Sequence, residues 1–246
     1  MKKFLMKNEI INFKGIKFYN SDFYSIFNKI QKGGYLVAPA ASSLSKISKN
    51  NQYYKSLKNS DVAILDSGFF CILLRIFKKK KVNKLSGFFF LKKFLSLKFN
   101  KKTKFLNIDP NCEESKLNYE YLIKKKKIKN IISYVAPKYT KKISDKKLIS
   151  IIKKEKPKYI IINIGGEVQE VLAEYIKDKI NYNISIMCTG AAIAFLTKKQ
   201  APLMSDFIDK YYLGWFVRLL HNPRKYFIRI ISSLSLIKLF LHEKKK

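Results

Sequence analysis

The segment that most constrains the fold of this chain is Pro157–Glu170, which reads PKYIIINIGGEVQE. Its apolar run Tyr159–Ile164, broken only by Asn163, predicts a strand buried on both faces, and the two glycines that follow predict a tight turn. Apolar residues then recur at helical spacing, with Glu167 and Glu170 in the expected first turn. A strand, a glycine turn and a helix N-terminus form either an anion site or a simple connection.

Strand and helix signals alternate from Tyr35 to Ile164, and a last strand is expected at Ser185–Cys188. This alternation predicts an α/β fold with a mostly parallel sheet and helices on both faces. A small hairpin is expected within residues 1–20. One helix is expected to begin at a cap of Ser42 or Ser43 and to extend towards Leu57.

After a break at Ala201-Pro202 the pattern is helical only, with basic and aromatic residues interleaved. We therefore predict an α/β core over residues 1–202 and a basic amphipathic helical appendage over residues 203–246. Such an appendage either lies on an anionic bilayer or packs on the core, and composition favours neither placement.

Acidic or small residues follow the predicted strands at their carboxyl ends, where ligands gather in open α/β sheets. Asp66 is the carboxylate of interest, because it follows an apolar strand and precedes a glycine. Its side chain serves either as the N-cap of the next helix or as a catalytic group. The small residues around Pro39, and the pair Thr189-Gly190, would let a ligand approach the backbone closely.

The chain has a formal net charge of +34, from 51 Lys and Arg against 17 Asp and Glu, which predicts an anionic partner. Lysine is the default cation, because only four arginines occur, and Arg218, Arg224 and Arg229 fall within one twelve-residue window. A local cluster of arginine indicates bidentate binding of phosphate or carboxylate. The lysines are dispersed, and no sequence pattern of an RNA-binding or zinc-finger domain is present.

Other site classes receive little support from the sequence. The three cysteines lack metal-ligand spacing, two histidines leave little room for a metal site or a triad, and no D-x-D motif occurs. No apolar run is long enough for a membrane span and the N-terminus lacks a cleavage site, so neither a span nor a signal peptide is expected.

Several short motifs, in order, resemble those of the WecG/TagA/CpsF glycosyltransferases. They are Asp66-Ser67-Gly68, Leu85-Ser86-Gly87, the run GGEVQE at 165–170, Gln200-Ala201-Pro202, and the run GWFVRL at 214–219 followed by Asn222-Pro223-Arg224 and Arg229. Each motif is weak alone, but their order and spacing are specific. The resemblance implies a Rossmann-like core with a helical C-terminal appendage.

The resemblance also implies a function: inverting transfer of an N-acetylhexosamine-type or related sugar from a UDP-sugar to a polyprenyl-diphosphate-linked sugar, in surface polysaccharide synthesis. It places the protein in the cytoplasm at the inner face of the cell membrane. We expect no cofactor, no metal and no nucleic-acid partner, and a homo-oligomer stays open. Asp66 is the implied general base. The implied substrate-binding residues are Pro39, Ser67, Gly68, Ser86, Gly87, Gly165, Gly166, Gln169, Glu170, Thr189, Gly190, Arg218, Arg224 and Arg229.

The chain also departs from the family pattern. Ala38 and Ala40 stand where many members have Thr and Asn, and Lys84 stands in place of an arginine. Two alternatives therefore stay open: a basic nucleic-acid-binding protein, suggested by charge, and a membrane-associated descendant of the family that has lost turnover.

Overall fold

One sheet of eight strands organises the described part of the chain. The computed structural model describes residues 9–140, 143–199, 205–211 and 213–244. Its strands are β1 (Glu9–Phe13), β2 (Ile16–Asn20), β3 (Gly34–Val37), β4 (Val62–Ile64), β5 (Phe105–Asp109), β6 (Ile131–Val135), β7 (Tyr159–Ile162) and β8 (Ser185–Cys188). Their order is β1-β2-β4-β3-β8-β7-β5-β6. Among these described strands only the β1–β2 pair is antiparallel, so the predicted mostly parallel α/β sheet is confirmed.

Helices connect the strands and cover both faces of the sheet. Those of the core are α1 (Phe23–Ile30), α2 (Ala41–Leu44), α3 (Asn51–Lys58), α4 (Gly68–Lys78), α5 (Gly87–Phe94), α6 (Cys112–Glu120), α7 (Lys146–Glu155), α8 (Gln169–Lys179) and α9 (Ala192–Leu196). A π-helical turn, Tyr121–Lys125, continues α6. Towards the C-terminus follow α10 (Asp206–Lys210), α11 (Gly214–His221), α12 (Pro223–Leu234) and α13 (Leu236–Lys244).

The central strands are buried on both faces, as their unbroken apolar sequences predict. In β3, Tyr35 and Val37 point into one hydrophobic cluster while Leu36 points into the other, because successive side chains of a strand alternate. The Tyr35 hydroxyl donates to the carbonyl of Ser56 at 2.6 Å, which satisfies the one polar atom of that side chain.

The expected helix from Ser42 or Ser43 to Leu57 is wrong. The chain instead forms the short α2, a turn, and then α3. Asn50 causes the interruption, since its side-chain oxygen accepts from the backbone N–H of Tyr53 at 3.1 Å and starts a new helix. Side-chain caps start other helices in the same way, with Asp22 at α1 and Asp145 at α7.

The last helix, α13, packs on the core rather than standing apart from it. Phe240 is 1% exposed, and its ring centre lies 4.5 Å from that of Phe13 in β1 and 5.3 Å from that of Phe77 in α4. Leu236 is fully buried in the same cluster. Of the two placements left open for the C-terminal residues, packing on the core therefore applies to α13. The boundary predicted at 202 lies outside the described residues and stays a prediction.

Replacing Phe240 with Ala should lower the free energy of unfolding by about 3–5 kcal/mol, because it leaves a cavity among three aromatic rings. Denaturant unfolding monitored by circular dichroism measures this change. The neighbouring Leu241 is 49% exposed, so Leu241→Ala is the matched control and should change stability by no more than about 0.5 kcal/mol. Equal effects of the two substitutions would contradict the described packing.

Candidate functional site

A cleft with two lobes lies beyond the carboxyl ends of the central strands. The helix-side cavity, of about 320 Å³, runs between the start of α4 and helices α11 and α12. The sheet-side cavity, of about 270 Å³, runs from the ends of β7 and β8 to α9 and α12. Both are lined by Ala40, Ser42, Asp66, Arg218, Tyr226 and Arg229, which therefore mark the junction of the two cavities.

Asp66 stands at this junction, two residues beyond β4. Ser67, not Asp66, is the N-cap of α4, and its hydroxyl accepts from the N–H of Phe70. The carboxylate of Asp66 instead accepts from the backbone N–H of Gly87 at 2.8 Å. Of the two roles that the sequence leaves open for Asp66, the cap is therefore excluded.

Gly87 brings its N–H to Asp66 because it has no side chain. A Cβ at this position would lie 3.1 Å from the Cβ of Ala38 and 3.1 Å from the carbonyl oxygen of Thr189. The three strand ends beneath the cleft are thus packed tightly against the start of α5. A substitution at Gly87 would push that helix and its N–H away from the carboxylate.

The surroundings of Asp66 suit a base. Burial raises the pKa of Asp66 above that of an exposed carboxyl, and the negative charge of Asp209 adds to the rise. Arg218, the Gly87 N–H and Lys84 act in the opposite direction by stabilising the ionised form. A raised pKa makes the carboxylate a stronger proton acceptor, as general base catalysis at neutral pH requires.

Asp209, in α10, ties the C-terminal helices to the loop that supports Asp66. One carboxylate oxygen lies 2.5 Å from the ammonium of Lys84, and the other accepts from the hydroxyl of Ser86 at 2.7 Å. Ser86 in turn caps α5 by accepting from the N–H of Phe89 at 3.1 Å. Because Gly87 follows Ser86 directly, Asp209 holds the segment that donates to Asp66. Sequence reasoning missed Asp209, since nothing near residue 209 marks it as a partner of residues 84–86.

Two of the three clustered arginines reach the junction. The guanidinium of Arg218 lies 4.9 Å from the ring centre of Phe195, and its Nε is buried without a hydrogen-bond partner among the described residues. The guanidinium of Arg229 lies 5.6 Å from the ring of Tyr226. Arg224 is exposed in the first turn of α12 and lines neither cavity, so its predicted role has no support from this geometry.

Gln169 and Glu170 brace two turns of the sheet-side cavity. The side-chain carbonyl of Gln169 accepts from the N–H of Gly190 at 3.0 Å, and its amide donates to Glu170 at 3.0 Å. Glu170 also accepts from the N–H of Glu167 at 2.7 Å, so a carboxylate of the chain itself already occupies this donor before α8. Gly190, at φ 62°, has the left-handed conformation that glycine adopts readily.

The structure brings most of the remaining predicted residues to the cleft. Ser67, Gly68 and Ser86 line the helix-side cavity, and Gly165, Gly166, Thr189 and Gly190 line the sheet-side cavity. Pro39 is buried and lines neither cavity. In the described residues, no three side chains of His, Cys, Asp or Glu are grouped so that they could hold a metal ion.

The sequence model of the glycosyl transferase WecG/TagA/CpsF family matches residues 11–246, nearly the whole chain. The chain belongs to this family. The resemblance drawn from short motifs is thereby confirmed, together with the general class of glycosyltransferase. Among curated proteins, no sequence matches this chain.

The motifs shared with the WecG/TagA/CpsF family come together at one cleft. Asp66-Ser67-Gly68, Ser86-Gly87, Gln169-Glu170 and Arg218 lie far apart in the sequence, yet all of them border or support one cleft. Gln200-Ala201-Pro202 lies outside the described residues. Lys84, which stands in place of the family's arginine, forms an ion pair through its ammonium group with the carboxylate of Asp209.

The buried Glu170 makes stability depend on pH. Burial raises the pKa of Glu170 from its ordinary value of 4.5 to about 7, so the folded state binds the proton more tightly than the unfolded state. The stability gained from this proton is fully present below about pH 4.5 and is lost as the pH rises through about 7.

Replacing Glu170 with Gln should remove this dependence. Because the amide cannot ionise, the stability of Glu170→Gln relative to the natural chain should rise by up to about 3 kcal/mol between pH 4.5 and a pH above 7. The test is this change with pH and not the absolute level, since the amide nitrogen cannot accept one of the two hydrogen bonds that the carboxylate accepts. Denaturant unfolding at a series of pH values measures the difference. The control is Glu113→Gln, at an exposed position, which should give parallel curves. Parallel curves for both variants would contradict a raised pKa at Glu170.

Proposed function

We propose that the protein is an inverting glycosyltransferase that moves an N-acetylhexosamine-type or related sugar from a UDP-sugar to a polyprenyl-diphosphate-linked sugar, in the synthesis of a surface glycan. The observation that carries the proposal is the position of Asp66, a carboxylate of raised pKa at the junction of two cavities, with Arg218 and Arg229 beside it.

The two cavities differ in character, and this difference favours one assignment of substrates. The helix-side cavity has apolar walls from Phe69, Ile72, Trp215, Ile230 and Leu234, which suit the lipid-linked acceptor. The sheet-side cavity is lined by backbone turns and polar side chains at the strand ends, where nucleotides commonly bind in α/β proteins. The sugar to be transferred would then lie at the junction, next to Asp66.

In the proposed reaction the acceptor hydroxyl attacks the anomeric carbon of the donor sugar. Asp66 takes the proton of that hydroxyl, the new glycosidic bond forms, and the bond from the anomeric carbon to the diphosphate oxygen breaks. UDP leaves with the bonding electrons. Only one carboxylate is needed, because inversion involves no covalent intermediate with the enzyme.

Arg218 and Arg229 would stabilise the negative charge that develops on the departing diphosphate. Arg218 suits this role because its buried Nε lacks a partner in the described structure and its guanidinium lies at the junction. We propose that these arginines take the place that a divalent cation has in many other glycosyltransferases. The sequence supports this reading through its lack of a D-x-D motif.

We further propose that the protein acts at the inner surface of the cell membrane. Helices α11 and α12 expose large apolar side chains next to the helix-side cavity: Trp215, Phe216, Leu220, Phe227, Ile228, Ile231 and Leu234. Arg224 and Arg229 are exposed on the same pair of helices, and the whole chain carries a net charge of +34. Apolar and cationic side chains together suit an anionic bilayer surface. Along the part of the chain that the structure describes, no helix has both the length and the apolar character to cross a bilayer.

The function is tested by UDP release from a panel of UDP-N-acetylhexosamines and UDP-hexoses, each with and without a short-chain polyprenyl-diphosphate-linked sugar. Acceptor-dependent release should fall at least about a hundredfold in Asp66→Asn, because the amide cannot take the proton. The amide oxygen can still accept from Gly87, so calorimetry should show nearly unchanged UDP binding.

The same assay tests the proposed role of the arginines. Release should persist after treatment with EDTA if the arginines neutralise the diphosphate, and Arg218→Lys should lower it by roughly tenfold or more because lysine lacks the bidentate fork. Release by Asp66→Asn at the natural rate would remove Asp66 from the base role. UDP binding without release for every donor and acceptor would favour the non-catalytic alternative.

The membrane proposal predicts that a triple substitution of Phe227, Ile228 and Ile231 by Gln weakens binding to vesicles of phosphatidylglycerol and phosphatidylcholine by roughly tenfold or more. Cosedimentation measures the binding. The control is the pair Ile10→Gln and Leu117→Gln, which changes exposed apolar residues on β1 and α6. Equal binding by the triple variant and the control would contradict a membrane role for α12.

A further inference from the structure

A buried polar network lies beneath the sheet-side cavity, at the ends of β5 and β7. Asp109 is fully buried, and its carboxylate accepts from the side-chain amides of Asn107 at 2.6 Å, Asn118 at 2.7 Å and Asn163 at 2.9 Å. Burial raises the pKa of Asp109, and the donated amide hydrogen bonds oppose that rise by stabilising the ionised form.

This network fixes the orientation of Asn163. The amide nitrogen of Asn163 donates to Asp109 at 2.9 Å and to the side-chain oxygen of Asn107 at 2.7 Å, so both of its hydrogens have acceptors. A reversed amide would place its oxygen against two other oxygens. Since the nitrogen and oxygen diverge from one carbon, the oxygen Oδ1 faces away from Asp109.

The oxygen that faces away has no partner in the described structure. Asn163 is 6% exposed, its Oδ1 is buried without a hydrogen bond, and the residue lines the sheet-side cavity. Thr189 lines the same cavity and its hydroxyl is also buried without a partner. A buried acceptor without a hydrogen bond destabilises the protein, and a bound ligand that donates a hydrogen bond would remove this cost.

Resting on the proposed function, we propose that Asn163 Oδ1 accepts a hydrogen bond from the nucleoside of the donor, held in place by Asp109 and Asn107. Asn163 lines the sheet-side cavity but not the helix-side cavity, whereas Asp66, Arg218 and Arg229 line both. The reacting sugar and the diphosphate belong at that junction. The part of the donor that reaches Asn163 is therefore the end remote from the reacting carbon.

Because Asn163 presents only an acceptor, it selects for a donor group on the nucleoside. Uracil offers an imide N–H at N3, and the ribose offers hydroxyls. Cytosine has an acceptor at the same ring position, so its lone pair would face that of Asn163. A site of this kind discriminates strongly against an analogue that leaves its buried polar group unpaired.

Calorimetric titration of the full chain tests the inference with UDP, CDP, N3-methyl-UDP, 2′-deoxy-UDP and 3′-deoxy-UDP. At least one analogue should bind about tenfold to a hundredfold more weakly than UDP. Weaker binding of CDP and N3-methyl-UDP assigns the contact to the base, and weaker binding of a deoxy analogue assigns it to the ribose. Equal affinity for all five would overturn the inference.

The decisive variant is Asn163→Ala. It should bind UDP more weakly than the natural chain does, and it should no longer prefer UDP to the analogue that the natural chain binds weakly. Asn163→Ser, whose shorter side chain withdraws the acceptor, is the second variant if the alanine variant is poorly folded. Asn118→Ala is the matched control, because Asn118 donates to the same carboxylate but lines neither cavity. Asn118→Ala should have a lower free energy of unfolding but should still prefer UDP to that analogue.

The outcomes separate this inference from the function on which it rests. Unchanged UDP affinity and unchanged discrimination in Asn163→Ala would overturn the inference and leave the transferase intact. Equal loss of discrimination in Asn118→Ala would assign the effect to general destabilisation and also overturn it. A natural chain that binds no UDP at all would remove the proposed function together with the inference.

Discussion

The pairing of β3 with β8 is the constraint on which the rest of the structure depends. These parallel strands join the half of the sheet made by β1, β2 and β4 to the half made by β5, β6 and β7, with Val37 opposite Cys188. The register places residues 38–40 beside the Thr189-Gly190 turn. The chain runs from β3 to β4 on one side of this pairing and enters β8 from β7 on the other side. A crevice at such a reversal of strand order is where an open α/β sheet binds ligands. The sheet-side cavity lies there, and the helix-side cavity adjoins it at Ala40 and Ser42 on the β3 side.

The cleft needs the C-terminal helices as well as the sheet. The sheet supplies Asp66 and the polar strand ends, but the cations that face them, Arg218 and Arg229, come from α11 and α12. Aromatic rings of Phe195 and Tyr226 lie against these guanidinium groups. The charge of Arg218, together with that of Lys84, lowers the pKa of Asp66 and so opposes the rise that burial causes.

The sequence was most informative where a signal is local. Alternating strand and helix patterns predicted the parallel sheet, and the strand–acid–glycine pattern located Asp66. Prediction failed at the helix expected from Ser42 or Ser43 to Leu57, because Asn50 offers its side chain to the backbone and starts a new helix. Asp209 and Asn163 were missed because their roles depend on contacts between distant segments. Arg224 lies in the same sequence window as Arg218 and Arg229 but is exposed and lines neither cavity, because packing and not spacing decides which face of a helix meets the core.

The segment that carries the arginines is anchored at both of its ends. Asp209 binds Lys84 and Ser86 before α11, and Phe240 and Leu236 are buried in the core after α12. A chain tethered at two points loses little of its freedom when it settles on the sheet, so the effective concentration of its side chains at the cleft stays high. The two anchors therefore keep Arg218 and Arg229 at the cleft, so the cationic wall of the site depends on the contacts of Asp209 and Phe240 as well as on the arginines themselves.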